Sequence, residues 1–251
     1  MSNEKMVNII DLFCGAGGLS EGFRQAGFKI TAGIDYDSEA IQTFSYNFPE
    51  AKSIVADLRT DNTKITEDLR CLNDKQINII VGGPPCQGLS IAGKRIKDDP
   101  RNSLYKAYLY MIDLLSPEAL VIENVPTILT LYKGAVAEAI INELALLGFE
   151  TKILKLFASE YGVPQHRSRV FFIAVRDVSV INSINNPAPT TLHYPITSEM
   201  AISDLPLLDD NLGSDILSYE KEAEFEYQVT MRRGSSFIYN HWAVAHTDRT
   251  K

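Results

Sequence analysis

No stretch of this 251-residue chain approaches the eighteen consecutive apolar side chains that a membrane helix requires, so no span is expected. The first five residues, Met1 to Lys5, are polar and lack the apolar core of a secretory signal. Cysteine is scarce. Cys14, Cys71 and Cys86 are too few for a secreted disulfide framework, and a reducing compartment is expected. Repeats of twenty to fifty residues and low-complexity tracts are both missing. So is a basic excess: 24 Lys and Arg stand against 32 Asp and Glu, a net charge of −8. That excludes a general basic coat for nucleic acid and leaves room only for a local basic cleft. There is also no G-x-G-x-x-G dinucleotide pattern and no Walker lysine. The 45% hydrophobic and 22% charged residues are ordinary globular values and exclude a disordered chain.

Two-thirds of the chain alternates short apolar runs with helix-spaced stretches. Strands are expected at 7–13, 30–34, 54–55, 77–81, 119–122 and 170–175. Helix faces are expected at Leu19, Phe23 and Ala26, at Ala40, Ile41, Phe44 and Phe48, at Leu104, Tyr108, Met111, Ile112 and Leu115, and at Val136, Ile140, Leu144 and Leu147. Such alternation predicts an α/β fold with a mostly parallel sheet covered on both faces. Ligands of these sheets sit beyond the carboxyl ends of the strands. After about Asn182 the chain turns polar and weakly periodic. The reading is one domain over 1–185, followed by a linker and an incomplete region over 186–251.

The motifs fall at strand ends. Phe13-Cys14-Gly15-Ala16-Gly17-Gly18 follows a strand and opens a helix, letting backbone approach a ligand closely. Asp35 ends the second strand, as a solvated strand end or as an acid that binds both hydroxyls of a ribose. Asp57 follows Ile54-Val55, a strand end from which a side chain could reach a base edge. With no phosphate motif, these point to an adenosyl ligand. Gly83-Pro84-Pro85-Cys86-Gln87-Gly88-Leu89-Ser90 follows another strand. Its cysteine reads either as a structural loop thiol or as a nucleophile. Glu123-Asn124-Val125 closes a strand with a partly desolvated carboxylate, or else is a solvated strand end or a helix cap. In Gln165-His166-Arg167-Ser168-Arg169, two arginines at alternate positions share a side of an extended segment. They suit a phosphate or carbonyl clamp, or form an exposed basic pair. Cys14 is expected as a packing residue.

In this order and at these separations, the motifs resemble those of the C5-cytosine DNA methyltransferases. The carrying stretches are 11–18, 83–90, 123–125 and 161–169, within a resemblance covering 7–176 and, more loosely, the chain to 251. The resemblance implies a Rossmann-like methyltransferase fold with an antiparallel last strand, and S-adenosylmethionine as cofactor with S-adenosylhomocysteine as product. Phe13, Gly15, Gly17 and Leu19 match the cofactor turn, with Pro85 beside the cofactor. Asp35 matches the ribose acid, Tyr36 a ring on the adenine, and Asp57 and Leu58 the adenine edge. Cys86 matches the nucleophile and Glu123 the acid on N3 and the exocyclic amine. Arg167 and Arg169 match the active-site arginines. Gln87, Ser90, Lys94, Arg95 and Gln165 fall where substrate DNA is contacted, and the base is flipped out of the duplex. No metal is implied. The resemblance further implies a cytoplasmic enzyme of bacterial or phage restriction–modification.

The sequence departs from the family pattern in two places. Leu156-Phe157-Ala158 lacks an asparagine common there. After Asn240-His241, the target-recognition region and the two late motifs, including a G-N-[SA]-V segment, are not found. Three explanations stay open: a split enzyme with a complementing C-terminal subunit or fragment, a truncated chain, and an inactive cofactor- or partner-binding homologue. Each leaves an exposed apolar face. An RNA C5-cytosine methyltransferase is the alternative activity, and Cys86 with Glu123 argue against an inactive one.

Overall fold

The computed structural model describes residues 6–60, 62–70, 76–84, 103–208 and 212–243. They form two compact units. One holds the described residues up to Leu156 together with Ser168–Pro187. The other holds Phe157–Arg167 and the described residues from Ala188 onward.

The first unit is built on seven strands: β1 (Asn8–Leu12), β2 (Lys29–Asp35), β3 (Lys52–Val55), β4 (Ile79–Gly82), β5 (Ala119–Asn124), β6 (Glu150–Phe157) and β7 (Ser168–Val175). Their order is β3-β2-β1-β4-β5-β7-β6. The pairs from β3 through β5 are parallel, and β7 runs antiparallel to β5. The mixed sheet with an antiparallel final strand is therefore the expected fold. Chain order reverses between β1 and β4, which opens a crevice at the carboxyl ends of those two strands.

Neighbouring isoleucines of β1 serve opposite faces. Ile9 joins Ile30 and Val81 under Ile41, Phe44 and Phe48, from α2 (Ser38–Asn47) and its end. Leu19 and Phe23 of α1 (Gly18–Gln25) pack on the same cluster, while Ala26 is exposed at the helix end. Ile10, Leu12, Ile34, Ile80 and Ile122 point the other way. They meet Ile65 of α3 (Asn62–Arg70), Tyr108 and Met111 of α4 (Ser103–Leu115), and Ile140 and Leu144 of α5 (Ala135–Leu146). Burial on both faces is why these strands read as nearly continuous apolar runs.

Two expectations need amendment. β6 was not foreseen, because Lys152 and Lys155 interrupt its apolar residues. Its exposed and half-exposed pattern suits a strand at the end of the sheet. The first unit also carries an apolar groove of about 510 Å³, lined by Leu19, Phe23, Val121, Leu156, Phe171 and Ile173 among others.

The second unit has regular structure where only weak periodicity was read. A short α6 (Val178–Ile181) still belongs to the first unit. Within the second lie α7 (Ser198–Ile202), β8 (Gly213–Ser218), α8 (Glu226–Arg232) and β9 (Phe237–Trp242). β8 and β9 pair antiparallel. Arg232 bridges to the buried Asp204 at 2.8 Å. Gln228, 1% exposed, accepts from the Glu224 and Phe225 amides and donates to Ser203.

Candidate active site

The candidate site grows from four strand ends that face one way because β2, β1, β4 and β5 are parallel. Beyond β1 the chain turns at Phe13, whose φ of 62° is rare for a bulky residue. The Phe13 and Cys14 amides both donate to the Ile34 carbonyl, at 2.9 and 3.2 Å, holding the turn against β2. Gly17 combines a φ of 93° with a close approach. A Cβ there would sit 2.3 Å from the Phe48 ring, so no other residue fits without moving the core.

Asp35 ends β2 and is 9% exposed. Its Oδ2 accepts the Gly15 amide at 2.9 Å and its Oδ1 the Asp37 amide at 3.1 Å. The carboxylate thus ties the turn to the second strand. Tyr36 beside it is 74% exposed. Asp57 lies two residues past β3, where Arg59 holds it through Nη2 at 2.6 Å and Nε at 2.9 Å. Those hydrogen bonds keep the Asp57 carboxyl below its ordinary range. Leu58 is 2% exposed and belongs to the core.

Glu123 and Asn124 are the last two residues of β5, not a helix cap. Arg169 Nε lies 2.6 Å from Glu123 Oε1. A Cβ at Gly83 would come 3.1 Å from Glu123 Oε2, so a glycine leaves that carboxylate its room. Asn124, 5% exposed, donates to the Pro84 carbonyl at 3.0 Å and accepts the Val125 amide at 2.8 Å. The β5 end and the segment leaving β4 are thereby joined.

Of the two arginines, only Arg169 lies within a strand. β7 begins at Ser168, so Arg167 precedes the strand, and the alternation that would place it beside Arg169 does not apply. Arg167 is exposed and belongs to the second unit with Gln165, also exposed. Leu19 is half-buried against the core. Pro85, Cys86, Gln87, Ser90, Lys94 and Arg95 lie outside the described residues, as does Cys71.

Cys14 is 7% exposed and packs in the core, as expected. Burial, with Asp11 and Asp35 nearby, pushes its thiol well above the ordinary range, which rules out a nucleophile there. Sequence reasoning read Asp11 only as part of a motif and gave it no role of its own. This carboxylate in an apolar strand is 1% exposed and accepts the Ser20 hydroxyl at 2.6 Å. Its interruption of an otherwise apolar run was the available signal. Burial raises it from 3.8 to about 7, against the pull of the Ser20 bonds. The link from Asn124 to Pro84 was also missed and had no signal in sequence spacing.

A family model for C-5 cytosine-specific DNA methylases matches residues 7–246. The chain belongs to that family. Among its relatives is the Type II methyltransferase M.DdeI of Desulfomicrobium norvegicum. It is 39% identical over 97% of this chain and 59% of its own length. The Type II methyltransferase M.AgeI of Thalassovita gelatinovora is 37% identical over 93% of this chain and 59% of its own length. This family member therefore spans about 59% of those two relatives. A solved structure described as a prophage-encoded DNA modification methyltransferase of E. coli matches with a TM-score of 0.73. It is 28% identical, over 97% of this chain and 73% of that one.

Proposed function

We propose that this chain methylates C5 of cytosine in duplex DNA, using S-adenosylmethionine and a covalent bond from Cys86 Sγ to C6 of a flipped base. The observation that carries the reading is the grouping, at the carboxyl ends of the parallel strands, of the glycine turn, Asp35, the Gly83-Pro84 segment leading to Cys86, and the Glu123–Arg169 pair.

The turn suits an adenosyl ligand. A Cβ on Gly15 or Gly18 would meet nothing within 4 Å, so backbone there borders open space. Asp35 would hold the ribose hydroxyls, Tyr36 the adenine face, and Asp57 with Leu58 the adenine edge. Phe13, Gly15, Gly17, Leu19 and Pro85 would line the rest. S-adenosylmethionine, when bound, supplies an electrophilic methyl group for C5 and leaves as S-adenosylhomocysteine.

Cytosine C5 is a poor nucleophile. Addition of the Cys86 thiolate to C6 makes the ring an enamine, which activates C5. Glu123 holds N3 and the exocyclic amine as charge develops there, a contact that strengthens in the transition state. Arg169 fixes the Glu123 carboxylate and supports the O2 side of the ring. Arg167 is the second arginine proposed for the active site. Once C5 carries its new substituent, it gives up its proton to a base and the C6–S bond breaks, restoring the aromatic ring. Gln87, Ser90, Lys94, Arg95 and Gln165 would contact DNA.

In this reading residues 1–185 carry cofactor and base chemistry, and 186–251 lead into target recognition. A complementing C-terminal segment, equivalent to what the match leaves out of its relatives, supplies the remainder. The open apolar groove beside α1 supports that part of the reading. The setting is the cytoplasm of a bacterium or phage host, within restriction–modification.

The family's description as DNA methylases favours DNA over RNA as acceptor. Transfer of tritiated methyl groups, with a complementing fragment present, is expected to duplex DNA and not to tRNA. Transfer to tRNA alone would overturn the assignment.

A further inference from the structure

Helix α1 begins at a glycine turn and has no cap of its own. Gly17 occupies the cap position, and no side chain there accepts from the first turn. Four amides at such a helix start need partners. One partner comes from the preceding strand. Asp11 takes the Ser20 hydroxyl at 2.6 Å and also the Ser20 backbone amide. The two residues are 1% and 0% exposed.

The turn between them holds one strained residue, Phe13, ahead of two glycines at positive φ. Phe13, Gly15 and Gly17 have φ of 62°, 53° and 93°. A non-glycine residue in that region persists only where its surroundings overdetermine it. Here the turn is held from two sides, by Asp35 on the Gly15 amide at 2.9 Å and by Asp11 on Ser20. Asp11 pairs in the sheet with Gly33 and Val81, neither of them charged. The titratable groups acting on it are Asp35 from β2 and Cys14 from the turn. A buried carboxylate is a costly way to hold a helix, and an apolar residue would serve packing alone at lower cost.

We infer that Asp11, through Ser20, is a positioning residue for the cofactor: it caps α1 from β1 and so keeps Phe13 and the glycine amides in their ligand-facing conformation. The inference rests on the adenosyl reading of the turn. Burial drives the carboxyl up to about 7, so its charge, and with it the strength of the cap, changes near neutral pH.

The test is calorimetric titration of the whole chain with S-adenosylhomocysteine, beside unfolding measurements on each variant. Ser20→Ala and Asp11→Ala are expected to weaken binding about tenfold. Asp11→Asn keeps an acceptor for Ser20 and is expected within about threefold of wild type. Wild-type affinity should rise from about pH 6 to 8, and Asp11→Asn should flatten that rise. Should Asp11→Ala fail to fold, Ser20→Ala carries the comparison. Wild-type affinity in folded Ser20→Ala, with stability alone reduced, would overturn the inference. No binding by folded wild-type protein would instead overturn the adenosyl reading, and this inference with it.

Discussion

Arg169 Nε sits 2.6 Å from Glu123 Oε1, between two strands that run antiparallel. Asn124 is paired with Val170 in the sheet, so Glu123 and Arg169 flank the last registered pair of that ladder. Their side chains are 29% and 21% exposed, so water still reaches both. That leaves the pair open to a substrate and limits its value as a stabilising ion pair.

Arg169→Ala is accordingly expected to leave stability nearly unchanged while removing the group that fixes Glu123. Methyl transfer in the complemented enzyme should fall about 100-fold. S-adenosylhomocysteine affinity should not change. Arg169→Lys keeps the charge without the planar fork and should lie between. Single-turnover rates beside calorimetric titration check this, and a wild-type rate in Arg169→Ala would contradict it.

Asp11 also makes a prediction about stability itself. Its carboxyl is raised from 3.8 to about 7, so between those values the folded chain binds a proton that the unfolded chain has lost. The contribution is present at low pH and is lost as pH climbs through about 7. Other carboxylates superpose their own slopes, so the difference between wild type and Asp11→Asn isolates the effect. Urea unfolding at about pH 5 and pH 8 should show wild type losing on the order of 1–4 kcal/mol more than Asp11→Asn. Equal slopes would contradict burial as the cause.

The two turn glycines should separate cleanly. Gly17→Ala drives a Cβ to 2.3 Å from the Phe48 ring at a φ of 93°. It should cost upwards of about 3 kcal/mol and yield little folded protein. Gly15→Ala has a φ of 53° and open space around the new methyl. It should cost about 1 kcal/mol. Thermal unfolding of both variants ranks them, and equal losses would show that strain, not packing, governs both.

Much of this architecture was legible because parallel strands buried on both faces leave apolar runs, as at Ile9-Ile10 and Leu120-Val121-Ile122. The motifs stood at the ends of such runs, which is where a parallel sheet exposes backbone. β6 escaped notice because half of it faces water and carries lysines. β8 and β9 escaped because a small two-stranded sheet exposes most of its side chains, including Ile216, Tyr239 and Trp242. Arg167 falls one residue before β7, and alternation places side chains only inside a strand, so spacing alone does not pair it with Arg169. Asp11 read as part of a motif, and its contact with Ser20 depends on how α1 returns over the turn, which spacing does not encode.

The central claim is covalent chemistry at Cys86. The direct measurement is denaturing electrophoresis after incubating the chain, with a complementing fragment and S-adenosylmethionine, on duplex DNA containing 5-fluorocytosine. Fluorine cannot leave C5 as a proton does, so the Cys86 bond to C6 persists once C5 is methylated. The account predicts a cofactor-dependent protein–DNA band that Cys86→Ala abolishes. A band that survives Cys86→Ala, or methyl transfer to DNA by Cys86→Ala at the wild-type rate, would contradict it.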